Sequence, residues 1–225
     1  VLFRSPRSLH LARFSFPSLG GTERYISDLI SFLESEGGMC LVASTNARGG
    51  SDAPWEYRLR AIGPSWAKVV LDRRVLRELI STVDLVHLHD LRLSPRAVLR
   101  AARKLGKPVV VSTHGLVFHT RRRRLIKALA WRLYLRPTLR RVELVLADSQ
   151  SDLAECAARG LSRGVVLFEN PVSVPRFGSI APSTQLRSDR LVKVLYFGRI
   201  DTNKNLEWLI DLCLEADRKS TRLNS

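Results

Sequence analysis

The sequence predicts an α/β fold, a doubly wound parallel sheet with helices on both faces. Three observations carry this. Short apolar runs alternate with helical stretches along nearly the whole chain. The apolar runs carry few polar interruptions, as strands covered on both faces require. Segments of helical length separate them, which parallel crossovers need and hairpins do not.

The elements follow in order. Leu9–Phe14 reads as the first strand and Thr22–Glu36 as a helix, entered through a turn at Gly20 and Gly21 with Thr22 as a cap. Met39–Ser44 and Tyr57–Ile62 read as further strands. Val69–Ser81 reads as a helix, because Leu71, Val75, Leu76 and Leu79 make one apolar stripe. Asp84–His89 is a strand, Ser94–Leu105 a helix and Pro108–Thr113 a strand. Arg122–Leu135 is helical, and Pro137 disturbs its end. Val142–Ala147 (strand), Ser151–Arg159 (helix) and Val165–Phe168 (strand) close a first domain over residues 6–170. Ligand sites in such sheets lie at the C-terminal ends of the strands.

Residues 171–190, rich in Pro and Ser, read as an interdomain linker. Leu191–Ile200 then reads as a buried strand running into a Gly-Arg turn, and Asp201–Ile210 opens a helix. Residues 191–216 are therefore the first strand and helix of a second domain. One strand and one helix bury little surface, so this unit is expected to be mobile or docked in a non-native way. Residues 1–5 and 218–225 resemble adapter or vector sequence and are set apart from the fold. The chain opens at Val1 and its one methionine is Met39, so the natural start is expected to lie outside it.

Hydrophobic residues make up 45% of the 225, enough for a substantial core, and no apolar run is long enough to span a bilayer. Cys40, Cys156 and Cys213 are scattered, without a Cys-x-x-Cys pair. That fits a reducing, cytoplasmic compartment and argues against a disulfide framework or a structural zinc site. The net charge is +16, from 37 Lys and Arg against 21 Asp and Glu. Such an excess points to a polyanionic partner. Nine basic residues and no acid fall between Arg121 and Arg141. Arg121, Arg122, Arg123 and Arg124 form a basic rim suited to anionic lipid or a phosphorylated acceptor. The Arg121–Arg124 run lacks the interleaved aromatics of a nucleic-acid surface. Leu125, Leu129, Trp131, Leu133, Tyr134 and Leu135 spread around the helix, which predicts a partly buried helix rather than a clean interfacial one.

Arg199 and Lys204 are expected beside one helix N-terminus, where N–H groups and the macrodipole favour an anion. A planar fork and a compact ammonium together suit a diphosphate. Gly20 and Gly21 let the backbone approach a ligand, but their spacing is not Gly-x-Gly-x-x-Gly, so a nicotinamide cofactor is poorly supported. His87 and His89 share a strand face and adjoin Asp90, yet no third ligand has metal-site spacing. No metal is expected there. His87 is assigned to the core, and His89 and Asp90, at the strand's C-terminal end, to the edge of a ligand cleft.

Five segments in one order resemble the retaining glycosyltransferases of the GT-B fold, family 4 or group 1. They are Phe16-Pro-Ser-Leu-Gly-Gly-Thr-Glu23, Asp84-Leu-Val-His-Leu-His-Asp90, Val111-Ser-Thr-His-Gly115, Leu146-Ala-Asp-Ser149 and Phe197-Gly-Arg-Ile-Asp-Thr-Asn-Lys-Asn205. The resemblance covers most of residues 8–216. It implies a Rossmann-like first domain on the acceptor side and a second domain, barely begun here, that binds the nucleotide-sugar. It also implies a nucleoside-diphosphate-sugar donor, a glycan or lipid-linked acceptor and no cofactor. By the same resemblance the cleft edged by His89 and Asp90 takes the acceptor, and His114 faces the transferred sugar, with an orienting role and a weaker one in proton transfer. Gly20, Gly21, Arg199 and Lys204 line the donor diphosphate. Glu23 is a secondary candidate that could simply answer the helix dipole. Asn170 is another, although Phe168-Glu-Asn-Pro171 departs from the family's Pro-Asn-Gly and a hinge turn suits it better. By the same resemblance the family's paired glutamates, in a Glu-x7-Glu segment, belong to the later part of the second domain, so the chain as it stands is expected to be inactive. Peripheral attachment to the inner membrane face is compatible with this reading; the alternatives are a nucleotide-sugar epimerase or a phosphorylase on the same fold, and a non-catalytic basic module binding anionic membrane or nucleic acid.

Overall fold

The computed structural model describes residues 5–13, 20–45, 56–64, 67–115, 124–170, 194–198, 200 and 204–223. Two compact units are present, Val1–Val174 and Pro175–Ser225. The first is built on β1 (Arg7–Ala12), β2 (Met39–Ser44), β3 (Glu56–Arg58), β6 (Leu85–Leu88), β7 (Val109–Ser112), β8 (Leu144–Ala147) and β9 (Val165–Leu167), with β4 (Ala61–Ile62) and β5 (Val69–Val70) as a separate pair. Its helices are α1 (Gly21–Ser35), α2 (Arg73–Thr82), α3 (Pro95–Lys104), α4 (Arg124–Ala130), α5 (Arg136–Leu139) and α6 (Gln150–Ala158). The sheet order is β3-β2-β1-β6-β7-β8-β9, and all its pairings are parallel. The doubly wound sheet is therefore as expected. Strand order reverses between β1 and β6, which is where such sheets open a crevice beyond their strand ends.

The two faces of the sheet differ in chemistry. On one, Leu9, Leu11, Val86, Leu88, Val109, Val111 and Val145 pack against α2, α3 and Trp131 in a wholly apolar core. On the other, α1 lays Tyr25, Ile26, Leu29 and Ile30 over Ala12, Cys40 and Val42. The same alternation that buries Leu9 and Leu11 on the first face puts Ser8 and His10 on the second. Across the ladder His10 pairs in register with His87, and His87 with Val110.

Three predicted elements change shape. Tyr57–Ile62 is two pieces, because the Arg60 N–H and guanidinium both bind the Asp72 carboxylate, at 2.6 and 2.8 Å, and turn the chain. Val69–Ser81 begins as β5, where the β-branched Val69 and Val70 pair with Ile62 and Ala61. The helix starts only at Arg73, and its buried stripe is Leu76, Leu79 and Ile80 rather than one including Leu71 and Val75. Arg122–Leu135 is interrupted by a π-turn over Trp131–Leu135, and helix resumes straight through Pro137. Proline cannot donate to the carbonyl four residues back. That carbonyl, of Leu133, instead accepts from Arg96 Nη2 of α3 at 2.6 Å, and Arg96 stacks over the Tyr134 ring at 4.2 Å.

In the second unit α7 spans Leu206–Leu223, reaching into the stretch 218–225 that the sequence sets apart. The expected strand over Leu191–Ile200 is absent from its described residues, Val194–Gly198 and Ile200. A parallel strand is held by neighbours, and Leu195, Phe197 and Ile200 are almost wholly exposed. The expected linker, 171–190, lies outside the described residues.

Candidate functional site

Polar side chains gather where the strand order reverses, on the face that α1 covers. β1 supplies Ser8 and His10, β6 and its exit supply His87 and His89, and β7 supplies Ser112. All five are buried. Beyond β7 the chain turns at His114 and Gly115, both with left-handed backbone (φ 42° and 82°). Histidine tolerates that region better than bulkier residues, but it still carries strain, which persists where surrounding contacts enforce it.

Those contacts form one continuous chain. His114 Nδ1 lies 2.9 Å from Asp148 Oδ2. His114 Nε2 lies 3.2 Å from His89 Nδ1, and His89 Nε2 lies 3.0 Å from His10 Nδ1. His10 Nε2 lies 2.9 Å from Ser8 Oγ, which is 3.4 Å from the Cys40 thiol. His87 branches off, its Nε2 2.8 Å from Ser112 Oγ. Tyr25 of α1 sets its ring edge-on against both His114 and His89, at 4.9 and 5.8 Å between centroids.

Asp148 is held by a frame of its own. Its backbone N–H donates to Thr113 Oγ1 at 3.3 Å, and Thr113 Oγ1 donates to Asp152 Oδ2 at 2.9 Å. Ser149 caps α6 by accepting from the Asp152 N–H. Asp148 Oδ1 is buried with no hydrogen bond among the described residues.

Burial decides the protonation of the interior. It lowers His10 to about 4. It lowers His87 and His89 well below the ordinary imidazole value, with the neighbouring imidazoles adding to the effect. Burial pushes the Tyr25 phenol up, with Ser112 opposing. The floor of the site is therefore neutral, and its charges sit at the rim. There Arg92 grips Asp90 with Nε and Nη2, both at 2.7 Å, while Arg13 lies 3.7 Å from the same carboxylate. Burial and Arg92 lower Arg13, and Asp90 and Glu23 oppose them.

Residues 19–176 match the model of Glycosyltransferase Family 4. The chain belongs to that family. A GDP-mannose:cellobiosyl-diphosphopolyprenol alpha-mannosyltransferase of Xanthomonas oryzae pv. oryzae is 28% identical over 211 residues, 88% of this chain and 53% of that protein. The enzyme of the same name from Komagataeibacter xylinus is 27% identical, over 91% of this chain and 52% of its own length. This family 4 chain thus spans about half the length of the curated relatives it matches. Among solved structures, a glycosyltransferase from Rickettsia africae shares the fold at a TM-score of 0.53 and 16% identity, covering 80% of this chain and 47% of that one.

The first unit of the family 4 chain brings together His114, His89 and Asp90 of the predicted set. Gly20 and Gly21 open α1, and Glu23 folds its carboxylate back so closely that a side chain at Gly20 would collide with it. Asn170 is exposed just past β9. Lys204 is exposed in the second unit, and Arg199 lies outside the described residues. Arg121, Arg122 and Arg123 also lie outside them, and Arg124 opens α4. His87 is in the core, as assigned, but hydrogen-bonded rather than apolar. Sequence reasoning passed over His10, Ser112 and Asp148. The signal was there for His10. Ser8-Leu-His-Leu11 alternates where a doubly covered strand should not, and Asp84-Leu-Val-His-Leu-His89 does the same on the adjacent strand.

His10, His87 and His89 also place ring nitrogens within 4.8 Å of one another, close enough to suggest a metal. The hydrogen bonds speak against it. Both nitrogens of His10 and of His89 are already engaged, and so is Nε2 of His87. An ion could bind only by breaking the chain.

The predicted basic-rim helix carries a different surface from the one expected. Leu125, Ile126, Leu129 and Leu133 are all largely exposed. Leu125, Ile126 and Leu129 fall within about 100° of one another around the helix. Trp131 and Leu135 take the inward positions. No helix among the described residues is long and apolar enough to cross a membrane.

Proposed function

We propose that this chain is the acceptor-side half of a retaining glycosyltransferase acting on a lipid-linked glycan with a nucleoside-diphosphate-sugar donor. The match to two mannosyltransferases over about nine-tenths of the chain carries the reading. Their names specify GDP-mannose and a diphosphopolyprenol-linked disaccharide, so those are the substrates to try first. In this reading Gly20, Gly21 and the strained turn at His114 line the cleft, and Arg199 and Lys204 stabilise the departing diphosphate as charge builds on it. No cofactor is needed. The second half of the cleft would come from further sequence, and this chain alone would not turn over.

The test is transfer of labelled mannose from GDP-mannose to the lipid-linked disaccharide, by this chain and by any longer product of its reading frame. Product from the longer protein only, with the anomeric configuration retained, supports the proposal. Epimerised sugar nucleotide without glycan product moves the assignment to an epimerase on the same fold.

The exposed leucines favour a membrane-facing role for α4, since apolar side chains flanked by arginines bind an anionic interface. Sedimentation with vesicles containing phosphatidylglycerol should show binding by the chain as it stands. Replacing Leu125, Ile126 and Leu129 by serine should weaken it by at least roughly tenfold. Undiminished binding would mean that charge alone suffices, and binding of neither protein would remove the membrane from the proposal.

A further inference from the structure

We infer that His89 and His10 are positioning residues, which hold the ring of His114 in one tautomer through a directional hydrogen-bonded chain anchored by Asp148. The direction follows from valence. A carboxylate only accepts, so His114 Nδ1 must carry the proton facing Asp148 Oδ2. A neutral His114 then accepts at Nε2, which requires a proton on His89 Nδ1. His89 in turn accepts at Nε2 from His10 Nδ1. His10 accepts at Nε2, and Ser8 Oγ donates to it. Three imidazoles thus share the Nδ1–H form, each link forcing the next. The opposite direction would need a proton on Asp148 or a second proton on His114.

One consequence concerns His114. Both its ring nitrogens are engaged inside the protein, so the ring is a strut rather than a free acid or base. Ligand contact at this residue falls to the backbone of the left-handed turn, which the strut holds in its strained form. A second consequence separates the chain from the neighbouring three-histidine cluster. In this polarity the lone pairs of His10 and His89 point at Ser8 and His10, not at a common centre.

That His114 serves sugar transfer rests on the transferase reading. The tautomer chain does not, and it is read on this polypeptide without substrate. The sequence holds five histidines, so a long-range proton–nitrogen correlation spectrum of protein labelled at histidine nitrogen is tractable. The expected result is Nδ1–H with bare Nε2 at His10, His89 and His114 together. Asp148→Asn, which can donate as well as accept, should disturb that pattern at all three, including His10 two imidazoles away. Ser8→Ala, made at the other end, should move His10 Nε2 and leave the polarity intact. A change confined to His114 in Asp148→Asn, or Nε2–H at His89 in the unaltered protein, overturns the inference. So does a joint shift of His10, His87 and His89 on adding one equivalent of Zn(II), which would make the cluster a metal site. A failed sugar-transfer assay beside the expected spectrum would sink the transferase reading alone.

Discussion

Lowering the pH from 7 to 5 is expected to destabilise the first unit by at least about 2 kcal/mol, before carboxylates as a class begin to titrate. His10 is held near 4 by burial, and His87 and His89 are likewise held well below the ordinary value. In the unfolded chain each would titrate near 6.5. Through the window from about 6.5 down to 4 the unfolded state therefore binds more protons than the fold, and stability falls as pH falls. His10 alone contributes about 2 kcal/mol by pH 5, and His87 and His89 act in the same direction. Urea unfolding followed at pH 7, 6 and 5 reads the effect directly. A midpoint that holds steady over that range would mean that the imidazoles are solvated or charged in the fold.

Replacing Asp90 by alanine is expected to cost about 3 kcal/mol, more than any other single change at the rim. Its carboxylate is buried, accepts the Arg92 N–H at 2.9 Å as well as two guanidinium bonds, and faces Arg13. Removal leaves two cations close together beside an apolar core. Arg92→Ala should cost only about 1 kcal/mol, because Arg92 is itself half exposed and Asp90 keeps Arg13 nearby. A double-mutant cycle in denaturant isolates the pair. Equal costs for the two single changes would show that the bond to Arg92, rather than the burial of Asp90, sets the energy.

The sheet was legible because Val-rich runs separated by helical stretches leave few other ways to bury their surface. Leu9, Val86, Val109 and Val145 occupy the core that the pattern implies. The misreadings share a cause. Arg60 with Asp72 and Arg96 with Leu133 are contacts across 12 and 37 residues, and they decide where a strand breaks and how a helix passes a proline. Local periodicity carries no trace of either. The site was half legible. His89, Asp90 and His114 stood out at strand ends, whereas Asp148 is an ordinary loop acid until β7 and β8 pair and bring it beneath His114. His10 was the avoidable omission, since a polar residue on a central strand needs a partner.

The π-turn at Trp131–Leu135 makes chain length there a phase setting. A π-turn holds more residues than the α-helical turns flanking it. Trp131 and Leu135 both reach the core, while Leu125, Ile126 and Leu129 still point outward. Losing one residue from this turn would rotate α4 by about 100° against α5. The core would stay filled, but an outward leucine would swing toward the protein and a different set of side chains would meet the surroundings. Family members differing by one residue at this point could therefore share an interior and meet different environments.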